Sequence, residues 1–343
     1  MAEAVHQANA HAWTIVTSCT LVIPVYNRAP LTTQCLDALL NSSPETALTE
    51  IVVVDDGSAD TTAQLLAARA DRVRVVRHEQ NVGFAGACND GAAAATGEWL
   101  VFLNNDTLPE SGWLDALLRY ASSGERIGLV GSKLLFPNGT IQHAGVVFAR
   151  DSRAHHIYAG FPADHPAVNK SREFQVVTGA CAAIRRALFD EVGGFDTGFV
   201  NGYEDLDLCL RLRQLGYEVH YCHESVLYHL ESATRGQALD HQNYKRFLER
   251  WADVIEQDDI QYYLEDGLID ISYWEHCPAL LWVSPDLAVL DREHANAGEA
   301  LLVKRSRQVY DALKENARLR VELLEAEERA RATSEASGTE RLA

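Results

Sequence analysis

The feature that most constrains this chain is a series of short, β-branched apolar runs separated by stretches of helical period. Thr20-Leu21-Val22-Ile23-Pro24 reads as a buried strand closed by proline. Leu31, Cys35, Leu36, Leu39 and Leu40 then recur at helical spacing. Ile51 to Val54 is a second strand, Thr61 to Ala70 a helix, Val73 to Val76 a third strand, Asn89 to Ala95 a small-residue helix and Trp99 to Leu103 a fourth strand. This alternation predicts βαβ units and an α/β fold with a mainly parallel central sheet flanked by helices. Polar clusters follow the strands: Asn27, then Asp55 and Asp56, then Asn104 to Asp106. Ligands of open α/β sheets bind beyond the carboxyl ends of the strands, so one edge carries the candidate site.

The rest of the chain is less regular. Gly128 to Phe148 reads as short strands around the Pro137-Asn138-Gly139 turn. Ala149 to Glu173 is polar, histidine-containing and broken by proline, which predicts a long surface loop of the kind that is usually functional or mobile. A strand over Phe174 to Val177, a helix over Arg185 to Val192, a helix over Leu206 to Leu215 and short strands at Val219 to Cys222 and Val226 to Tyr228 follow. Residues 1–18 read as a flexible leader, 19–258 as the main α/β domain and 259–343 as a helical appendage. Within the appendage, Glu299 to Arg331 reads as one charged helix with an apolar stripe through Tyr310, Leu313, Ala317, Val321 and Leu324. A coiled coil that recruits partners or a second copy, and a helix folded back on the main domain, both fit this stripe.

Charge and cysteine usage exclude several function classes. The formal charge of −19 repels polyanions, which argues against non-specific binding of nucleic acid or anionic membrane. A phosphate-bearing ligand stays compatible if a cation inverts the local field. The seven cysteines are dispersed and form no CxxC pair, as expected of reduced thiols in a cytoplasmic protein. No apolar run reaches the length of a membrane span; peripheral contact at the inner face of a membrane stays open. The GxGxxG fingerprint of nicotinamide-dependent enzymes is absent after the first strand, where Pro24-Val25-Tyr26-Asn27-Arg28 stands.

Taken singly, the chemistry-bearing clusters have bland readings. Asp55-Asp56-Gly57-Ser58 can accept from a nucleobase or ribose, or simply cap a turn. Asn104-Asn105-Asp106-Thr107 offers oxygen ligands to a hard divalent cation, or a structural turn. Glu204-Asp205-Leu206-Asp207 offers a general base, or first-turn acids favoured by the helix dipole. His229 can ligate a metal or sit half-buried and satisfied. His143, His155 and His156 lack zinc-site spacing and read as polar groups near a sugar or phosphate, or as surface residues.

The ordered combination is more specific. Pro24-Val25-Tyr26-Asn27, Val54 to Ser58, Asn81-Val82-Gly83-Phe84-Ala85, Phe102 to Thr107, Thr178-Gly179-Ala180, Gly193-Gly194-Phe195-Asp196, Tyr203 to Leu208, His229 and the aromatic, basic stretch Tyr244 to Trp251 resemble the family 2 glycosyltransferases with the GT-A fold. The Asn-Asn-Asp-Thr form, Ile141-Gln142-His143-Ala144-Gly145 and the Thr-Gly-Ala turn look most like the bacterial rhamnosyltransferase-like members. The resemblance implies that Pro24, Tyr26, Asp55 and Asp56 line a nucleoside pocket, with Asn81, Gly83 and Phe84 on the nucleotide-side loop. It places Asn104, Asn105 and Asp106 at the metal motif, with Asp106 and His229 as ligands of Mg²⁺ or Mn²⁺. Asn104 stands where the family usually has an aspartate, so one charge is missing. Asp205 matches the base, and Glu204 is the competing assignment.

The implied reaction is inverting transfer from a nucleotide-diphosphate sugar to a hydroxyl of a bacterial glycan or lipid-linked acceptor. dTDP-rhamnose is the first donor expected, and UDP-hexoses come next. The alternative is a catalytically weak GT-A scaffold acting through its C-terminal helix.

Overall fold

The computed structural model describes residues 18–41, 47–149, 152–230, 237–274, 277–284, 287, 318–319, 322 and 329. The chain divides into two compact units, Met1–Asp259 and Ile260–Ala343. The first half of unit 1 alternates as the sequence predicts: β1 (Cys19–Val25), α1 (Ala29–Asn41), β2 (Leu48–Asp55), α2 (Thr62–Ala67), β3 (Arg74–Arg77), α3 (Phe84–Ala94) and β4 (Trp99–Leu103). The second half runs β5 (Thr107–Pro109), α4 (Trp113–Ala121), β6 (Ile127–Leu135), β7 (Ile141–His143), β8 (Val146–Phe148), β9 (Ala154–His156), β10 (Arg172–Phe174), β11 (Cys181–Arg185), α5 (Arg186–Glu191), α6 (Glu204–Gln214), β12 (Glu218–His229) and α7 (Gln237–Trp251). Helix α8 (Asp259–Glu265) begins on the last residue of unit 1, and unit 2 contains an antiparallel pair of β13 (Ile269–Trp274) and β14 (Cys277–Val283).

Among the described residues, ten strands form one sheet with the path β10-β12-β6-β11-β4-β1-β2-β3, β5 joining β12 and β7 joining β6. The β4-β1-β2-β3 half is wholly parallel. Helices bury both faces of this half, which is why β1 and β4 are buried along their whole length rather than alternating. The main core joins Leu21, Ile23, Val53, Val101 and Leu103 to Leu36 of α1 and to Leu114 and Leu117 of α4. Each such side chain fully removed from water contributes about 1.5–3 kcal/mol.

Several elements depart from the sequence reading: β5 and α4 are absent from it, the strand expected over Phe174 to Val177 ends at Phe174 as β10, and the two short strands expected within Val219 to Tyr228 are the single strand β12. β11 goes unseen in the sequence because Cys-Ala-Ala-Ile-Arg has small, helix-compatible residues; it runs antiparallel to both β4 and β6, and only a strand can complete their hydrogen bonds. Helix α3 starts at Phe84, not at Asn89. The expected surface loop over Ala149 to Glu173 instead carries β9, a 3₁₀ turn at Pro166–Val168 and β10. Ile157, Tyr158, Phe161 and Val168 are buried there, Lys133 Nζ donates to Asn169 Oδ1 at 2.5 Å, and Tyr221 Oη donates to the Val168 carbonyl at 2.9 Å. These anchors make the segment a packed wall rather than a mobile loop. The expected leader lies outside the described residues. So does the helix expected over residues 299–331, except for the helical positions Arg318, Leu319, Glu322 and Arg329.

Candidate active site

Two strand ends are tied to each other. Asn27 Oδ1 accepts from the amides of Ala59 and Asp60, and the Asn27 amide donates to Ser58 Oγ. Asp55 is fully buried; its Oδ1 accepts the Ser58 amide at 3.0 Å and its Oδ2 lies 3.0 Å from Arg77. Asp56 is only 3% exposed. Its Oδ1 accepts the Val82 amide at 2.9 Å and faces His78 Nδ1 at 2.8 Å, while its Oδ2 accepts the Gly83 amide at 3.0 Å. The carboxylates of both residues therefore bond to the chain itself, and Asp56 holds the loop that starts α3. Gly57 makes that approach feasible, because its φ is +74° and a Cβ there would lie 2.7 Å from the Gln80 carbonyl carbon. Pro24 is buried in β1, Tyr26 is 53% exposed at its end, and Asn81 Oδ1 accepts the Gly83 amide at 3.1 Å.

The β5–β12 register builds the second cluster. His229 pairs with Thr107, and the Leu230 amide donates to the Asp106 carbonyl at 2.9 Å, so the imidazole comes beside the Asp106 carboxylate. His229 Nε2 lies 3.0 Å from Asp106 Oδ1. That oxygen is buried and has no hydrogen-bond partner, because the ring nitrogen is off the line a hydrogen bond requires. On its other side, the ring places Nδ1 2.5 Å from Gln142 Oε1, and Asn104 Nδ2 is 3.3 Å from Nε2. Asn105 turns away and donates to Thr32 Oγ1 at 2.8 Å.

The third cluster sits at the start of α6. Asn201 and Tyr203 both take positive φ, 54° and 72°, sparsely populated values for residues with side chains that are typical of functional sites. Glu204 is buried, and its Oε2 accepts the Gly202 amide at 2.5 Å. Asp205 is half-buried; its Oδ2 accepts the Gly179 amide and its Oδ1 the Leu206 amide, each at 2.9 Å. A Cβ on Gly179 would meet Asp205 Cβ at 3.0 Å, so a side chain there obliges Asp205 to give by a few tenths of an ångström.

One cleft of about 580 Å³ joins the second and third clusters. Phe84, Asn104, Asp106, Glu204, Asp205 and His229 line it; Pro24, Tyr26, Asp55, Asp56, Asn81, Gly83 and Asn105 do not. A smaller recess of about 100 Å³ shares Asp205, Thr178 and His156 with it. Sequence reasoning missed Gln142, Phe136 and Asn201 as lining residues; Gln142 carried a signal, since it sits in the Ile141 to Gly145 motif. His143 is corrected: it is neither a ligand contact nor a surface residue but fully buried. Its Nδ1 is 2.9 Å from the Ser132 carbonyl and its Nε2 accepts the Thr178 amide at 3.3 Å. Burial pushes this imidazole down to about 4, so it is neutral near pH 7.

Residues 20–193, just over half of the chain, match the sequence model of the family described as Glycosyl transferase family 2. The chain belongs to this family. Within family 2 its curated relatives include the O-antigen biosynthesis protein RfbC of Myxococcus xanthus, 34% identical over 224 residues, covering 63% of this chain and 17% of that protein. Another is the N-acetylglucosaminyl-diphospho-decaprenol L-rhamnosyltransferase of Mycobacterium tuberculosis H37Rv, 27% identical over 214 residues, covering 56% of this chain and 70% of that protein. These relatives support a rhamnosyltransferase-like member of family 2. The chain spans only 22% of an uncharacterized Sinorhizobium fredii relative, so it matches a small part of some of the proteins it resembles.

Among solved structures, GalNAc-T7 with UDP, GalNAc and Mn²⁺ aligns with a TM-score of 0.59 at 19% identity, covering 70% of this chain and 49% of that one. The Pyrobaculum calidifontis mannosyltransferase PcManGT with GDP-Man and Mn²⁺ aligns with a TM-score of 0.54 at 20% identity, covering 88% and 83%. At these identities the likeness carries the fold, and the family 2 domain has the GT-A architecture.

Proposed function

We propose that this family 2 domain transfers a sugar, with inversion, from a nucleotide-diphosphate donor to an acceptor hydroxyl. The observation that carries the reading is the convergence of Asp106, His229, Glu204 and Asp205 on one cleft. The donor set suits a divalent cation. A carboxylate oxygen and a ring nitrogen face each other at 3.0 Å with no hydrogen bond between them. With Nδ1 donating to Gln142 Oε1, Nε2 carries a lone pair, so two acceptors meet where a cation relieves their repulsion. Asp106 and His229 would hold Mg²⁺ or Mn²⁺, and the cation would supply positive charge against the donor diphosphate as its bond to the sugar breaks. Asn104 lacks the usual charge, and its amide instead points at Nε2.

Asp205 is the residue proposed to take the proton from the attacking hydroxyl. Two amides hold its carboxylate in one orientation at the cleft, which is what a base needs to meet a bound hydroxyl within hydrogen-bond reach. Attack from the Asp205 side, with the diphosphate leaving on the Asp106 side, inverts the anomeric carbon. Glu204 is buried and holds the Gly202 amide, which favours Asp205 over it as the base. Asp56 would act on the nucleoside side chiefly by fixing the 82–84 loop, with Pro24 and Tyr26 beside it. The L-rhamnosyltransferase relative and the apolar wall of Leu134, Phe136, Ala159 and Ala180 support dTDP-rhamnose as first donor, ahead of UDP-hexoses. A glycan or lipid-linked hydroxyl is the proposed acceptor.

The test is a panel of dTDP-rhamnose, UDP-hexoses and GDP-mannose, each with Mn²⁺ and with EDTA, on wild type and Asp205→Asn. Turnover of one donor that EDTA and Asp205→Asn both abolish is the expected result. Turnover in Asp205→Asn equal to wild type removes Asp205 from the mechanism.

A further inference from the structure

We infer that Gln142 is a positioning residue that fixes the tautomer and orientation of His229, so that Nε2 carries the lone pair at the edge of the ring where Asp106 and Asn104 lie. The inference rests on the proposed cation reading of that site. It starts from strand alternation. Ile141, Gln142 and His143 are all buried in β7, which pairs antiparallel with β6. Successive side chains of a strand point to opposite faces. His143 turns toward the Ser132 carbonyl and the Thr178 amide, and Gln142 turns into the cleft. The strand is thus anchored on one side and presents one amide on the other.

The orientation of that amide follows from its second contact. Gln142 Nε2 donates to the His229 carbonyl at 3.5 Å, and only the NH₂ end can do so. Oε1 therefore faces the ring, 2.5 Å from Nδ1. An oxygen acceptor at that distance requires the hydrogen on Nδ1. The Asn104 amide completes the arrangement from the opposite edge, with Nδ2 3.3 Å from Nε2, as a donor facing a lone pair. Gln142 makes two contacts to one residue, both to His229, which grips ring and backbone together. Outer partners of this kind set which imidazole nitrogen is free, and losing them costs 10- to 100-fold in metal affinity.

The experiment uses the full chain labelled with nitrogen-15 histidine, with the His229 signals assigned by their loss in His229→Ala. The metal-free spectrum reads the tautomer, calorimetry reads Mn²⁺ affinity, and thermal melting checks the fold. Gln142→Met, near-isosteric but without an acceptor, is expected to alter the His229 nitrogen signature and weaken Mn²⁺ binding about 10- to 100-fold. Gln142→Glu keeps an oxygen toward Nδ1 but loses the donation to the His229 carbonyl, so it is expected to retain the wild-type tautomer and to weaken Mn²⁺ binding less than Gln142→Met does. If the Met variant fails to fold, Gln142→Ala, which opens the cleft instead of filling it, repeats both measurements. An unchanged His229 spectrum with wild-type Mn²⁺ affinity overturns the inference. A wild-type protein that binds no Mn²⁺ overturns the cation reading instead, and the tautomer spectrum alone then decides the role of Gln142: unchanged in the Met variant, it overturns the role; altered, it upholds it.

Discussion

Asp207 is the position where the structure makes its sharpest stability prediction. It lies two residues past Asp205 on α6 and is fully buried. Its Oδ2 accepts Arg211 Nε at 2.7 Å; its Oδ1 accepts Arg250 at 2.6 Å and the indole Nε1 of Trp251 at 2.9 Å. One carboxylate thus pins α7 onto α6. Asp207→Ala removes the Arg211 bond, a hydrogen bond to a charged group worth about 2 kcal/mol. It also leaves the buried Trp251 N–H without a partner, a loss of roughly 1–2 kcal/mol. Arg250 is 39% exposed and keeps Asp196 at 3.0 Å, so water screens its share down to a few tenths of a kcal/mol. Together these give about 4 kcal/mol, inside the range for breaking a buried pair. For a domain of this size that lowers the melting temperature by about 10 °C. Calorimetric melting of Asp207→Ala beside Arg250→Met is the assay, and Arg250→Met should fall by no more than about 3 °C. If Asp207→Ala melts within about 3 °C of wild type, or Arg250→Met falls as far as Asp207→Ala, the reasoning is refuted.

Four further outcomes follow from the same geometry. Gly179→Ala should shift Asp205 by a few tenths of an ångström and lower kcat, by less than the ~100-fold of a full 1 Å misplacement, with the melting temperature nearly unchanged; a wild-type kcat would detach the Gly179 amide from the function of Asp205. Asp106→Ala should abolish the Mn²⁺-dependent part of nucleotide affinity, and calorimetry with and without Mn²⁺ that shows no such part in wild type would sink the assignment. His143 has a folded-state pKa near 4, below its usual 6.5, so its contribution is fully present above pH 6.5 and is lost as pH falls toward 4. That difference is worth about 3 kcal/mol, and urea titrations of His143→Asn against wild type across this window should show a shallower acid slope in the variant. Asp56→Asn should loosen the 82–84 loop and raise KM for the donor with little change in kcat, measured by steady-state kinetics.

Much of the fold was legible because its signals are local. The apolar runs at Leu21 to Ile23, Ile51 to Val54 and Trp99 to Leu103 become strands of one sheet, since β-branched residues with no polar alternation suit a strand covered on both faces. The motif residues of the cleft were legible too, because carboxylates and an imidazole at strand ends and a helix start leave a chemical trace in the sequence. Segments with weak local preference were not legible. Cys181 to Arg185 is a strand only because β4 and β6 flank it, and Ile157, Tyr158, Phe161 and Val168 are broken up by Gly160, Pro162 and Pro166, so they show no strand or helix period that would announce a packed wall.

The sequence by itself determined the strand–helix rhythm, the family 2 motifs and the identity of the acids that reach the site. Only the tertiary structure decided which donors surround each of those acids. Asp56 and Asp207 look in the sequence like Asp106, yet both oxygens of each are taken by backbone amides, arginines, a histidine or an indole. Asp106 instead keeps a buried oxygen without a hydrogen bond beside His229, a residue more than a hundred positions away. A carboxylate's chemistry depends on which donors surround it. Strand register and helix placement supply those donors, and they arise from packing between distant segments rather than from any local run of residues.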